Sequence, residues 1–275
     1  MKVHQYLGRS IAATGLALVL VVGASRAQNP AKDFEPQVGQ AGKDVIWVPT
    51  QLAMVNRMLD TAKVTAADYV IDLGSGDGRT VITAAKRGAT AHGIEYNPDM
   101  VALSKKNAEK EGVTAKATFA KADIFESDFS KATVITMFLL SDINYRLRPK
   151  ILDMKPGTRI VSNTFDMGDW EADEKFEVKD GCSSYCRGFY WMVPAKVEGT
   201  WKLVDGTLAL KQTYQMVSGT LTKGNVVAPL KGKLTGDQIT FTAGDTEYTG
   251  KVVDGKIEGV TKSKGAEGKW SAAKS

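Results

Sequence analysis

VIDLGSGDGR, residues 70–79, ends an apolar run at an acid and then alternates three glycines with polar residues. Val70, Ile71 and Leu73 read as a strand buried on both faces, the pattern of a parallel sheet. Gly74 and Gly76 let the chain turn tightly and let a ligand approach backbone with no Cβ in the way. A glycine loop directly after such a strand marks a ligand site, so the organisation on either side decides what it holds.

Strands and helices alternate through the next hundred residues. YVIDLG precedes a helix expected from about Asp77 to Lys86, and AHGIEY precedes one from about Pro98 to Glu111. ATFAKAD is followed by the strand ATVITMFL, a helix around Ile143 to Met154, and then TRIVSNTF. KFEVKD and RGFYWMVP read as a terminal hairpin pair. Upstream, VPTQLAMVNRMLDTAKV places Leu52, Val55, Met58 and Leu59 on one helical face, with Thr50 able to cap it. This alternation predicts a parallel, doubly wound α/β sheet. From about Lys196 the helical period stops. Short alternating runs are divided by Asp205-Gly206, Lys223-Gly224, Gly236-Asp237, Gly244-Asp245 and Asp254-Gly255. Turn dipeptides at that spacing predict an all-β meander or small barrel over residues 196–275. A weak repeat (EGTWKL, SGTLT, KGKLT, TGKVV, EGKW) runs through it. Small barrels fill with side chains, and Trp201 and Trp270 are expected to plug the ends.

In an open parallel sheet the ligand sits at the carboxyl ends of the strands, where the strand order reverses. A dinucleotide loop wants G-x-G-x-x-G, but Arg79 stands where its third glycine would be. Asp72 lies inside the turn, where a carboxylate repels a pyrophosphate and suits a ligand carrying positive charge. S-adenosyl-L-methionine has an amino group and a sulfonium and no phosphate. Glu95, ending the second strand, is placed to accept both ribose hydroxyls. Asp123, ending the third, is placed to accept from the adenine amine, with Ile124 and Phe125 beside the ring. Each acid alone also reads as a cap or a solvated turn; the ordered set Asp72, Gly74, Ser75, Gly76, Glu95 and Asp123 predicts the cofactor.

The first residues, MKVHQYLGRSIAATGLALVLVVGASRA, carry Lys2, Arg9 and Arg26 and no acid. The apolar core from Ile11 to Gly23 is short for a membrane span of about 20 residues, and Ser25-Arg26-Ala27 resembles a cleavage site. Residues 1–27 therefore read as a secretory signal peptide cut after Ala27, the alternative being an uncleaved anchor. Export, to a periplasm-like compartment, leaves no stable membrane span. Residues 28–45, polar with two prolines, read as a linker. Losing the signal lowers the formal charge from +5 to +2, which removes the electrostatic case for nucleic acid. His92 is then the one histidine left. It excludes a metal centre with two histidine ligands and reads as a packed strand histidine. Cys182 and Cys186 either pair or stay free, and pairing requires a turn between them.

Residues 46–195 resemble the class I, seven-strand S-adenosylmethionine-dependent methyltransferases. WVPT, DLGSGDGR, GIEYNP, ADIF and ATVITMFLLSDINYRLRPKILDMKPGTRIVS carry the resemblance. Within that class these motifs are similar to the small mitochondrial lysine methyltransferases acting on the ATP synthase c subunit and a nucleotide carrier. The last stretch also resembles the non-SET histone lysine methyltransferases. The resemblance implies a Rossmann-like sheet, methyl transfer to a protein or small-molecule acceptor, and contact between Thr50 and the methionine end of the cofactor. It does not reach residues 196–275.

MFLLSDIN follows the fourth strand in place of an N-P-P-Y-type amine clamp. Phe138 and Leu139 are placed to wall the transfer pocket, or to be core. Asp142 and Asn144 are placed to orient an acceptor, unless Asp142 or Ser141 caps the helix. Tyr190 and Trp191 read as core more than as acceptor lining. Two other functions fit the same residues: an exported, non-catalytic binding protein on this fold, and a chain whose β-module is a small binder.

Overall fold

The structure is a computed structural model and describes residues 1–2 and 34–275. Beyond its first two residues, the expected signal peptide lies outside the described residues.

Seven described strands make the first sheet, in the order β3-β2-β1-β4-β5-β7-β6. β1 (Tyr69–Leu73), β2 (Thr90–Glu95), β3 (Ala117–Lys121), β4 (Val134–Met137) and β5 (Arg159–Asn163) run parallel. β7 (Arg187–Met192) runs antiparallel to β5, and β6 (Glu174–Glu177) pairs with β7 as a hairpin on the edge. The order reverses between β1 and β4, so the glycine loop after β1 opens at the switch point.

Four described helices cover the sheet. α1 (Leu52–Thr61), α2 (Arg79–Lys86) and α3 (Pro98–Lys110) lie on one face with Val70, Ala91, Val134 and Val161. α4 (Ser141–Leu152) packs on the other, over Ile71, Leu73, Ile135 and Ile160. The alternation Val70, Ile71, Asp72, Leu73 thus feeds two cores, and every residue of β1 after Tyr69 is buried. α3 shows why local sequence ends a helix. Asn97 caps its start by accepting from the Asp99 and Met100 amides, and Pro98 pre-sets the first turn. Gly112, at φ +68°, ends it in a left-handed residue, after which the Val113 amide returns to the Ala108 carbonyl. The caps expected elsewhere are absent. α1 begins after Gln51 and α4 after Leu140, with no side chain bonded at either start. Thr50, Ser141 and Asp142 therefore cap nothing.

At the amino ends of the strands, buried Asp68 accepts from the Thr65 amide (2.8 Å), the Thr133 hydroxyl (2.8 Å) and the Arg159 guanidinium. Arg159 also donates to the Ala62 carbonyl at 2.6 Å. Burial alone would raise the Asp68 pKa; these donors outweigh it and hold the carboxyl below its ordinary value.

β8 (Gly199–Leu203), β9 (Thr207–Thr213), β10 (Met216–Lys223), β11 (Val226–Thr235), β12 (Gln238–Ala243), β13 (Thr246–Val253), β14 (Lys256–Ser263) and β15 (Ala266–Lys274) form a closed antiparallel barrel. Neighbours pair as hairpins, and β15 meets β8 through Ala272 and Leu203 to close it. The recurring glycines answer to strand crowding: a Cβ on Gly219 would stand 1.9 Å from the Ala209 carbonyl oxygen, and one on Gly259 1.8 Å from that of Thr249. Trp201 and Trp270 are buried in the barrel core, each indole donating to a backbone carbonyl. The β9–β10 turn joins the barrel to the sheet: Tyr214 stacks on Trp170 at 5.9 Å, its hydroxyl donates to Asp169, and Gln215 donates to the Glu171 carbonyl.

Candidate functional site

The glycine loop has the shape its sequence predicts. Gly74, Gly76 and Gly78 sit at φ +76°, +54° and +83°, conformations that cost an L-residue about 1–2 kcal/mol. The Gly74 and Ser75 amides donate to the Ile94 carbonyl (2.9 and 3.1 Å), which ties the loop to β2. α3 supports it from behind: the Ser104 hydroxyl donates to the Gly76 carbonyl (2.7 Å) and Asn107 to that of Asp77 (2.9 Å). Arg79 grips Asp77 through Nε and Nη2 and reaches the Thr50 carbonyl (2.9 Å). That last contact fixes Thr50, buried, against the cavity above the loop.

Asp72, Gly74, Ser75, Gly76, Glu95 and Asp123 all line this cavity, as do Thr50, Ile124 and Phe138. The structure therefore brings together the whole set read from the strand ends. Glu95 already accepts from the Gly76 and Asn97 amides, 2.9 Å each, one per carboxylate oxygen. Those bonds hold it at the mouth of the loop and leave lone pairs for two hydroxyls. Asp72 is buried and accepts from the Thr136 hydroxyl at 2.6 Å. Burial, with nearby Glu95 adding repulsion, pushes its pKa up to about 7. Such a carboxyl gains from a cation beside it.

Two observations test an adenosyl sulfonium here. The Ser75 hydroxyl is buried with no partner among the described residues. A Cβ on Gly74 would lie 3.1 Å from Leu139, so only a bare backbone leaves the space beside that wall. Three carboxylates, an unsatisfied hydroxyl and a glycine cradle fit a ligand with a diol, an amine and a positive centre.

Sequence reasoning missed the lid. Residues 39–47, inside the segment read as a linker and its border, form a hairpin: the Gly39 amide donates to the Trp47 carbonyl, and the Trp47 amide to that of Gln40. Gln40 reaches the Met100 sulfur at 3.8 Å, and Trp47 lies so close to Gly76 that a Cβ there would stand 2.7 Å from its indole nitrogen. The signal available was the pair Ile46 and Trp47 after Gly42, an apolar stretch unusual for a linker. Lys43 at the tip pairs with Asp123 and lies 4.9 Å from the Tyr96 ring.

For the other residues singled out in the sequence, Asp142, Asn144 and Phe125 are corrected, while Trp191 and His92 stand as read. Asp142 is exposed and Asn144 wholly buried, and neither lines the cavity. Asn144 spends its amide on the Phe165 and Asp166 carbonyls (3.2 and 3.0 Å), so it positions the segment after β5. Phe125 faces away, with the Arg146 guanidinium 3.7 Å over its ring. Trp191 is core, donating to the Trp170 carbonyl at 2.8 Å. His92 bonds the Thr118 hydroxyl at 2.8 Å, a packed strand histidine. Cys182 and Cys186 form a disulfide.

The family model of the ANTKMT methyltransferase domain matches residues 72–174. A protein-lysine N-methyltransferase of Saccharolobus islandicus (strain REY15A) is 47% identical over 140 residues, which are 50% of this chain and 87% of the relative. The Caenorhabditis elegans lysine N-methyltransferase of the ATP synthase c subunit is 32% identical over 167 residues, 58% of this chain and 87% of its own. Among solved structures, the RNA methyltransferase from Salinibacter ruber in complex with S-adenosyl-L-homocysteine is 41% identical, with a TM-score of 0.51 over 55% of this chain and 96% of that one.

Proposed function

Because this chain belongs to the S-adenosylmethionine-dependent methyltransferases of the ANTKMT-domain family, we propose that its acceptor is the side-chain amine of a protein lysine. The cavity at the switch point, with Asp72, Glu95 and Asp123 in strand order around Gly74 and Gly76, carries the cofactor half of this reading. The lysine half is supported by the protein-lysine acceptors in the names of the two relatives above.

Bound S-adenosylmethionine supplies a methyl group already activated on a sulfonium. The chain's residues do the rest. With the cofactor bound, Glu95 would accept from the ribose hydroxyls, Asp123 from the adenine amine, and Asp72 with Thr50 would hold the positive methionine end. The hairpin 39–47 with Phe138 and Leu139 excludes water, and alignment of this kind contributes about 7–11 kcal/mol to such transfers. The acceptor nitrogen must present its lone pair. Walls of Val45, Ile46, Val48 and Phe138 disfavour an ammonium by desolvation, so the proton passes to solvent before the nitrogen reaches the methyl group. The two described cations in that lining are each paired, Lys43 with Asp123 and Arg79 with Asp77, which disfavours a phosphate backbone there.

Calorimetry with S-adenosyl-L-methionine, followed by mass spectrometry of lysines in proteins from the native cell incubated with enzyme and cofactor, tests both halves. Binding in the micromolar range, roughly −8 kcal/mol, together with methyl-lysine is the expected result. Methylation confined to RNA would replace the lysine acceptor.

The place of action is outside the cytoplasm in this proposal. The basic start, the short apolar core and Ser25-Arg26-Ala27 support cleavage after Ala27, and a cystine suits an oxidising compartment. Intact mass of the protein from its native cell should begin at Gln28; a chain still starting at Met1 would overturn this.

A further inference from the structure

Phe138, Phe165 and Tyr185 surround a second cavity on the far side of the cofactor wall. It shares Val45, Ile46, Val48, Phe138 and Leu139 with the first, so the two cavities adjoin along the hairpin and the end of β4. Phe138 stacks on Phe165 at 6.0 Å and meets Tyr185 edge-on at 5.2 Å. Unlike the core aromatics, all three rings keep solvent access, and Tyr185 is 45% exposed.

Two of the rings are held by unusual backbone. Tyr185 itself sits at φ +55°, and Thr164, directly before Phe165, at φ +64°. A non-glycine residue there persists only where its surroundings over-determine it, and such positions gather at ligand clamps. For Tyr185 the surroundings are the ring closed by Cys182 and Cys186 and the return bond from the Val178 amide to the Cys186 carbonyl (2.8 Å). Gln51 adds bonds to the Ser183 amide and the Ser184 carbonyl, 3.1 Å each, which pin the loop beside Thr50. For Phe165 the holder is Asn144.

We infer that the cystine loop between β6 and β7 is the acceptor-recognition element, with Tyr185 closing an aromatic slot that takes the aliphatic chain and amine of a lysine. This rests on the lysine reading above. The slot is continuous with the cofactor wall, and among the described residues its lining carries no unpaired cation: Lys43 is held by Asp123 and lies 3.9 Å from Asp44 at the tip of the hairpin. Aromatic faces also attract a cation or methylated ammonium within about 6 Å.

The probe is a synthetic decalysine peptide, titrated by calorimetry into the full chain saturated with S-adenosyl-L-homocysteine. Tyr185→Ala should weaken decalysine binding at least tenfold, Tyr185→Phe should keep it within threefold, and the Cys182→Ser, Cys186→Ser double variant should fall with Tyr185→Ala. All variants should bind S-adenosyl-L-homocysteine as the wild type does, which also reports folding. Equal decalysine affinity across the series, or none in a wild type that binds S-adenosyl-L-homocysteine, overturns this inference and leaves the cofactor reading standing. No binding of S-adenosyl-L-homocysteine by the wild type overturns both.

Discussion

Lys43 at the tip of the 39–47 hairpin holds Asp123, the carboxylate just after β3 that lines the cavity. The lid is thus latched on the group proposed to take the adenine amine. The hydrogen bond from Lys43 is the main reason the Asp123 pKa lies below its ordinary value. Lys43→Met should free the carboxylate and tighten cofactor binding, by no more than about fivefold because the pair is exposed. Asp123→Ala should weaken it instead. Stopped-flow binding on both variants checks the opposite signs; equal effects would mean that Asp123 serves only the lid.

Glu95 anchors the glycine loop and is proposed to take the ribose as well. Removing it frees the Gly76 and Asn97 amides. Glu95→Ala should therefore weaken cofactor binding more than tenfold and also lower stability by about 1–2 kcal/mol. Denaturant unfolding of the ligand-free protein separates the two: unchanged stability would assign Glu95 to the ligand alone.

Asp72 makes binding depend on pH. Its folded pKa of about 7 exceeds the ordinary 3.8, so between those values the folded protein holds a proton that the unfolded chain has lost. The stabilising contribution is complete below 3.8 and is lost as pH rises through about 7. A cationic ligand favours the ionised form, so the sign for binding is opposite. Cofactor affinity should climb as pH rises toward that pKa, by up to about tenfold per unit, with proton release visible in buffers of different ionisation enthalpy. Asp72→Asn should flatten the profile.

Asp68 tests the other end of the sheet. Asp68→Ala strands the Arg159 guanidinium, whose side chain is only 19% exposed. Loss of about 3–5 kcal/mol in unfolding free energy is expected, with cofactor affinity of the remaining folded protein unchanged. A selective loss of binding would contradict the separation of the two ends.

The sheet was legible because each signal is local. Val70 to Leu73 is apolar whatever lies beyond it, and the glycine spacing with Asp72 names a turn without reference to the rest. Five of the barrel's turns were legible for the same reason, down to Gly236-Asp237 and Asp254-Gly255, whereas Tyr214-Gln215 and Lys264-Gly265 passed unread. Its closure stayed open between meander and barrel, because β15 meets β8 across the whole module and no dipeptide announces that pairing. The lid escaped because its hairpin depends on Trp47 finding Gly76, a contact between segments that look unrelated in sequence. Asn144 shows the converse error. A polar residue after a strand invites a functional role, yet burial turns its amide toward the backbone of Phe165. Tyr185 carried no signal in the sequence, since its ring meets Phe138 only in the folded loop that Cys182 and Cys186 close.

The clamp of Asp68 on Arg159 sits at one rim of the sheet, while the lid, the glycine loop and the cystine loop all hang from the other. Changes in the hairpin tip or in residues 178–186 can therefore accumulate without taxing the groups that keep the strands in register. If the acceptor reading proposed above holds, exchanging those two loops between relatives should change the acceptor without costing the fold.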